Sequence, residues 1–486
     1  MSTVRIEASA TLTAGQADLI VAVVTQPFAG ASALPFHHDA NVRLIAEADR
    51  VGFDGALGQA IYVSGAPDAP WVAVIGAGEH PRVTDHRRVA ARAIRLGREL
   101  KASAVAVAGV DGDAARYLAE GLLLSSYSFD RHKSAPATPP RTRLERALIV
   151  APRGAGAVAH GLAVAESIVA ARDLANEHPG VCTPTWLGER AVEIAARHGF
   201  EAIIKGEAEL EREGFGLLLA VGRGSDEPSR LIHLIYRGAG PITRRLALVG
   251  KGVTFDSGGY SLKPREAITG MHLDMGGAAA VLGAADAIGR LKPAGVEVHF
   301  VVPSVENMVN GKAYKLNEVF KGYGGQTVEI LNTDAEGRLI LADAISYIAG
   351  FKPDEIIDLA TLTGACVVAL GLETAGLFAS DDEVAQRLLA AAARADESIW
   401  RMPLTERIED QLKSDVADMK NIGSRWGGAI SAALFLKRFV TPGTPWMHLD
   451  IAGPAMAEAE WEYINRGGTG FGVATLVEYV EGLSRG

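Results

Sequence analysis

LALVGKGVTFDSGGYSLKP, residues 246–264, decides how this chain of 486 residues is read. Its first five residues form a short apolar, β-rich run closed by glycine, which reads as a strand. Runs of the same kind recur as LIVAVVT (19–25), WVAVIG (71–76), AVAVAG (104–109), VEVHFVV (296–302) and TVEIL (327–331). Between them lie stretches of helical period. Val89, Ala93, Leu96 and Leu100 are spaced 4, 3 and 4, and residues 187–197, 276–288, 339–348 and 429–439 follow the same pattern. Alternation of this sort predicts an α/β fold with helices flanking each sheet.

The length exceeds the roughly 250 to 300 residues at which one core stops growing, so two domains are expected. The best boundary is RHKSAPATPPRTR (131–143), with three prolines and no apolar period. A strand-like LIVAP (148–152) and a long alanine-rich helix, about 155–174, come next. The expected organisation is an N-terminal α/β domain over 1–152, a connecting helix over 153–176, and a larger C-terminal catalytic domain over 177–486 built on a central mixed sheet.

Hydrophobic residues make up 48% and charged residues 22%, so the whole chain is expected to fold. The net charge of −10 disfavours broad contact with nucleic acid or anionic membrane surfaces. Two cysteines, Cys182 and Cys366, are too few for a disulfide framework and fit a reducing, cytoplasmic setting. The N-terminal MSTVRIEASATLTAGQADL lacks a basic stretch followed by an apolar run, so no secretory leader is expected. The apolar runs at 19–38 and 359–372 fall short of a membrane helix, through prolines in the first and length in the second.

Chemistry concentrates in two places. GKGVTFDSGGYSLKP (250–264) follows a strand and offers Lys251, Asp256 and Lys263; Asp274 follows just before a helix. Ligands in open α/β sheets bind outside the carboxyl ends of strands. The second place is NTDAEGRL (332–339), also directly after a strand. If that stretch stays extended, the period of two puts Asp334, Glu336 and Arg338 on one side. Four carboxylates brought together would raise one another's pKa, and two divalent cations balance their charge. Asp256, Asp274, Asp334 and Glu336 therefore read as a dinuclear metal site. Its carboxylate-rich, histidine-poor character suits Mn or Mg, with Zn also compatible.

Blander readings compete with this one. Asp334, Glu336 and Arg338 alone could cap a helix, and an isolated lysine at 251 or 263 would pass as a solvated loop residue. DSGG (256–259) resembles a serine-protease nucleophile segment, but that fold is all-β, so Ser257 reads as a turn residue. GKG (250–252) is no phosphate loop, because Gly252 stands where serine or threonine must follow the lysine. HExxH is missing, and His272 and His448 read as structural. Arg88, Arg92 and Arg95 form a basic helix face that reads as solvated, with nucleic-acid contact the minority alternative.

NTDAEGRL, ENM (306–308), DLATLTGAC (358–366), ADMKNIG (417–423) and HLDIAG (448–453) together strongly resemble the leucyl aminopeptidase, or cytosol aminopeptidase, family. The resemblance covers roughly residue 172 to the C-terminus. It implies a metal-dependent enzyme that removes single N-terminal residues, preferably leucine and other apolar ones, from peptides. It implies Lys251, Asp256, Asp274, Asp334 and Glu336 as metal ligands, with Asp256 and Glu336 bridging. Lys263 and Arg338 would be the catalytic pair, with bicarbonate at Arg338. Met271, Asn332, Thr361, Gly364 and Ala452 would bind substrate. A homohexamer is implied as well. A lysine ligand must be neutral, and moving its pKa from about 10.4 to near 7 takes roughly 4 to 5 kcal/mol, which two adjacent cations can supply. Two places depart from the pattern: His272, where many relatives carry lysine, and Pro454 with Ala455, at positions that shape the pocket. These departures bear on substrate preference, not on the ligand set.

Overall fold

The computed structural model describes residues 4–28, 34, 36–65, 70–134 and 144–485. Most of the expected boundary segment, 135–143, lies outside the described residues. The chain divides into two compact units, Met1–Val169 with Ala459–Arg466, and Ala170–Glu458 with Gly467–Gly486. The return of Ala459–Arg466 to the first unit has no counterpart in the sequence reading. The alanine-rich helix spans Ala155–Asn176. Among the described residues, no helix is long and apolar enough to cross a membrane.

The first unit holds β1 (Arg5–Ser9), β2 (Leu19–Val24), β3 (Ala60–Val63), β4 (Trp71–Gly76), β5 (Ala104–Ala108) and β6 (Arg146–Val150) in one sheet ordered β1-β6-β5-β2-β4-β3. All neighbours are parallel except β3, which runs antiparallel to β4 at the edge. Helix His86–Glu99 buries the predicted stripe of Val89, Ala93 and Leu96. Of its basic face, Arg88 and Arg92 make ion pairs and Arg95 a hydrogen bond to backbone. Arg88 reaches Asp85 and Glu462 at 3.0 and 2.8 Å, Arg92 reaches Glu99 at 3.1 Å, and Arg95 donates to the carbonyl of Glu462.

The second unit contains β7 (Glu201–Lys205), β8 (Arg230–Arg237), β9 (Arg244–Gly250), β10 (Gly252–Asp256) and β11 (Val296–Asn307). They are followed by β12 (Val319–Lys321), β13 (Thr327–Glu329), β14 (Glu355–Ala360), β15 (Ala375–Ala379), β16 (Ile399–Arg401), β17 (Met419–Lys420) and β18 (Trp446–Asp450). The large sheet runs β16-β15-β18-β14-β9-β11-β8-β7, and β10 pairs with β11 beyond the end of β9. Strands β18, β14, β9 and β11 are mutually parallel at its centre, while β15, β8 and β7 introduce antiparallel edges. A small sheet, β12-β13-β17, stands beside it. The central strands are buried over most of their length because helices such as Gly276–Leu291 and Gly337–Ile348 cover them.

Strand β11 outruns its expected end at Val302 by passing through Pro303. The neighbour on one side changes there: Val301 pairs with Val249 of β9, and Ser304 pairs with Gly252 of β10. On that side proline therefore falls in the gap between two partners, while on the other it stays in register with Leu231 of β8.

Candidate metal centre

The carboxyl ends of β9, β10, β14 and β18 bring the site together, as expected for an open sheet with a change of strand partner. Lys251 follows β9 directly. Its N–H donates to Leu359 O at 3.0 Å and its carbonyl accepts from Ala278 N at 2.8 Å, locking it between β14 and helix Gly276–Leu291. The Lys251 side chain lies against the backbone of Gly337, where an added Cβ would stand 2.6 Å from Lys251 Cε. Asp256 closes β10, and Gly258, at φ +86, turns the chain toward Lys263. Asp274 ends the short turn Met271–Leu273 ahead of helix Gly276–Leu291.

The NTDAEGRL segment does not stay extended, so the period-of-two argument is replaced by a turn. Asn332 Oδ1 accepts from Asp334 N at 2.8 Å and bends the chain after β13. Glu336 then caps helix Gly337–Ile348 with helical backbone angles, which places Arg338 in the first turn. The carboxylates converge all the same. Arg338 Nη1 instead donates to Asn421 O at 2.9 Å. Asn421 was missed in the sequence, although it lies in the ADMKNIG stretch. Its side chain fastens the NTDAEGRL loop through Leu331 N at 2.9 Å and Asn332 O at 2.6 Å.

One oxygen each of Asp256, Asp274 and Glu336, all buried, lie within 4.8 Å of one another. Lys251 Nζ sits 2.8 Å from Asp274 Oδ1, 2.9 Å from Glu336 Oε1 and 2.9 Å from Thr361 O. Lys263 Nζ is 2.8 Å from Asp256 Oδ2 and also contacts Asp334 Oδ1. Two ammonium groups thus face four carboxylates. Asp274 Oδ2 is buried with no hydrogen-bond partner among the described residues. The excess negative charge and the orphaned oxygen both fit divalent cations.

The electrostatics agree. Burial, then the neighbouring Glu336, raises Asp256 to about 6. Burial likewise holds Asp274 well above the usual carboxylate range and raises Asp334. Burial opposes ionisation of Glu336 too, but Lys251 and Lys263 win and lower it. Burial disfavours the Lys251 ammonium, yet Asp274, Glu336 and Asp256 outweigh that penalty and hold it above its ordinary value. Arg338 is depressed to about 10 by burial, with Glu336 and Asp450 opposing.

A cleft of about 540 Å³ is lined by every residue named from the sequence: the five proposed ligands, Lys263, Arg338, Met271, Asn332, Thr361, Gly364 and Ala452. Sequence reading missed Ile422, Ser424, Arg425 and Ser431 on its wall. Ser257 behaves as a turn residue, its hydroxyl donating to Asn307 O at 2.7 Å. His448 is buried and bonded to Asp358 Oδ1 at 2.6 Å, a structural role.

Comparison with known proteins follows the same division. The description "Cytosol aminopeptidase family, catalytic domain" matches residues 169–477, and the N-terminal domain of that family matches residues 20–136. A probable cytosol aminopeptidase from Synechococcus sp. (strain CC9605) is 46% identical over 439 residues, 88% of this chain and 89% of the relative. The Aquifex aeolicus (strain VF5) relative of the same name is 42% identical over 446 residues, 90% of each chain. Among solved structures, the bottromycin maturation enzyme BotP in complex with Mn superposes with a TM-score of 0.86 at 37% identity, covering 96% of this chain and 99% of that one. Fold and site define an α/β metal-dependent peptidase. The chain belongs to the cytosol aminopeptidase family.

Proposed function

We propose that this protein is a dinuclear-metal aminopeptidase that releases leucine and other apolar residues from the N-termini of peptides. The observation that carries the reading is the convergence of a carboxylate-rich ligand set, the cations of Lys263 and Arg338, and Met271, Thr361, Gly364 and Ala452 in one cleft. Lys251, Asp256, Asp274, Asp334 and Glu336 would hold two divalent ions, Mn first and Zn second by the chemistry of the donors. Bound there, the ions would supply Lewis acidity to a water and an anchor for the substrate's free α-amine. Lys263, which lines the cleft, would stabilise negative charge growing on the scissile carbonyl oxygen. Arg338 is a buried guanidinium whose Nε lacks a partner among the described residues, which suits it to hold an anion. The family resemblance makes that anion bicarbonate, acting as the base. Gly364 and Ala452 leave room in the pocket for the side chain that Met271 and Thr361 would contact, with Asn332 orienting the peptide. Cytoplasmic peptide turnover by a homohexamer completes the proposal.

The test is hydrolysis of leucine anilide by metal-stripped protein, repeated after adding Mn, Zn, Mg or Co. Recovery with two ions bound per chain is expected. Full activity without stoichiometric metal overturns the dinuclear reading. Aspartyl or glutamyl anilides cleaved far better than leucyl or methionyl ones overturn the pocket assignment.

A further inference from the structure

We infer that Asn307 is a positioning residue of the metal centre, acting with Thr333 to hold its two ligand-bearing segments in register. This rests on the metal-centre reading above. One segment ends β10 with Asp256 and runs on to Lys263; the other is the turn carrying Asp334 and Glu336. Each is a loop after a strand end, and neither fixes the other through a sheet ladder.

Asn307 is the last residue of β11 and is 0% exposed. Its Nδ2 donates to Asp256 Oδ1 at 2.8 Å and to Thr333 O at 2.9 Å, so both amide hydrogens are spent, one on each segment. The reversed amide would set its oxygen against two acceptors, so chemistry fixes the orientation. Gly258 N also donates to Asp256 Oδ1 at 2.8 Å. Two donors on one oxygen hold the carboxylate plane and leave Oδ2 facing Lys263.

Thr333 completes the tie. Its hydroxyl donates to Gly258 O at 2.6 Å and accepts from Ser261 N at 2.7 Å, and its own N–H donates to Ser261 Oγ at 3.1 Å. Tyr314 adds a second donor to Thr333 O at 2.7 Å. The segments approach so closely that a Cβ on Gly259 would stand 3.0 Å from both Asn307 Oδ1 and Thr333 Oγ1. Residues that orient ligands in this way set how well a metal site is preorganised.

The experiment uses the full chain. Mn²⁺ is titrated into the unaltered protein, Asn307→Leu and Thr333→Val, with binding read by calorimetry and by the Mn²⁺-induced rise in Tm. Asn307→Leu keeps the approximate shape while removing both donors. Its Mn²⁺ dissociation constant should rise by about 10- to 100-fold, with kcat largely regained at saturating Mn²⁺. Thr333→Val should move the same way by less, and it stands as the test if Asn307→Leu does not fold. A merely structural role would lower Tm without metal and leave the Mn²⁺ affinity unchanged, which would overturn the inference. An unaltered protein that binds no Mn²⁺ overturns the metal-centre reading itself, and this inference with it.

Discussion

Each unit of the molecule buries a cluster of ions, and the two clusters are built differently. In the first, Glu120 lies between Arg87 and Arg116. Its Oε2 accepts from both the Nε and the Nη2 of Arg87, the former at 2.8 Å, and its Oε1 accepts from Arg116 Nε at 3.0 Å. The rings of Tyr117 and Tyr463 cover the Arg87 guanidinium at 5.0 and 5.6 Å. In the second, four carboxylates meet two lysines and Asp274 Oδ2 has no partner among the described residues. In the first cluster both oxygens of the one carboxylate are taken by guanidinium donors, which serves packing, whereas in the second carboxylates outnumber the cations. An excess of one sign, kept out of water with an acceptor to spare, is costly on its own and marks a place built for something more.

The largest effect that separates the two clusters is expected at Glu336. Glu336→Ala should abolish turnover of leucine anilide while the metal-free fold persists, since Lys251 keeps Asp274 and Thr361 O; near-normal turnover contradicts a bridging role. Next come the lysines. Lys263→Ala should cut kcat by on the order of 10² to 10³ yet retain both ions, as for loss of an oxyanion donor, whereas Lys251→Ala should weaken occupancy of one ion. Metal titration alongside kinetics decides, and the roles must be exchanged if Lys263→Ala is the variant that loses an ion. Arg87→Ala should do the opposite of both, leaving metal binding alone while destabilising the fold by roughly 3 to 5 kcal/mol, because Glu120 is left buried without its main partner. Denaturant unfolding reads that loss, and a stability cost near zero would remove the contrast.

A neutral buried pair gives the smallest effect. His233 bonds Tyr347 Oη at 3.1 Å and His299 Nδ1 at 2.9 Å, and burial, with His299 adding, pushes it down to about 3. Between that value and the ordinary one near 6.5, the unfolded chain binds a proton that the folded chain refuses, so stability is lost as pH falls through this window. From pH 7 to pH 5 the loss should be roughly 2 kcal/mol, and His233→Gln should flatten the dependence. An unchanged slope in that variant assigns the pH dependence elsewhere.

Local pattern carried most of the fold. WVAVIG is a strand to the residue, whereas the strand read as LALVG begins two residues earlier, at Arg244, because the β9 ladder runs on past the apolar run. Strand β11 was legible only as far as Val302, since nothing local announces that Pro303 falls where one neighbouring strand yields to the next. In the site, the residue types of NTDAEGRL were informative but their conformation was not: the Asn332 side chain supplies a turn where alternation alone suggests a strand. Asn307, Thr333 and Asn421 escaped notice for a related reason. Their importance lies in which distant backbone groups they bond, and single-sequence periodicity holds no record of that. Likewise, the return of Ala459–Arg466 to the first unit follows from long-range contacts of Arg88 and Arg95 with Glu462.

The handover from β9 to β10 along one edge of β11 also constrains how the gene for such a protein can drift. Lys251 sits at the junction and Asp256 closes the second of the two strands, so both are indexed to the same continuous neighbour. The β10–β11 ladder holds one irregularity, with Val253 opposite Val305 and Phe255 opposite Glu306, so β10 carries an extra residue at Thr254 and still closes with Asp256 opposite Asn307. Beyond β10, Gly258 and Ser261 are tied to Thr333 and Lys263 to Asp256 and Asp334, whereas from Pro264 to Gly270 the hydrogen bonds among the described residues stay local. Insertions should therefore be tolerated between Pro264 and Gly270 and rejected between Asp256 and Lys263, whatever amino acids they contain.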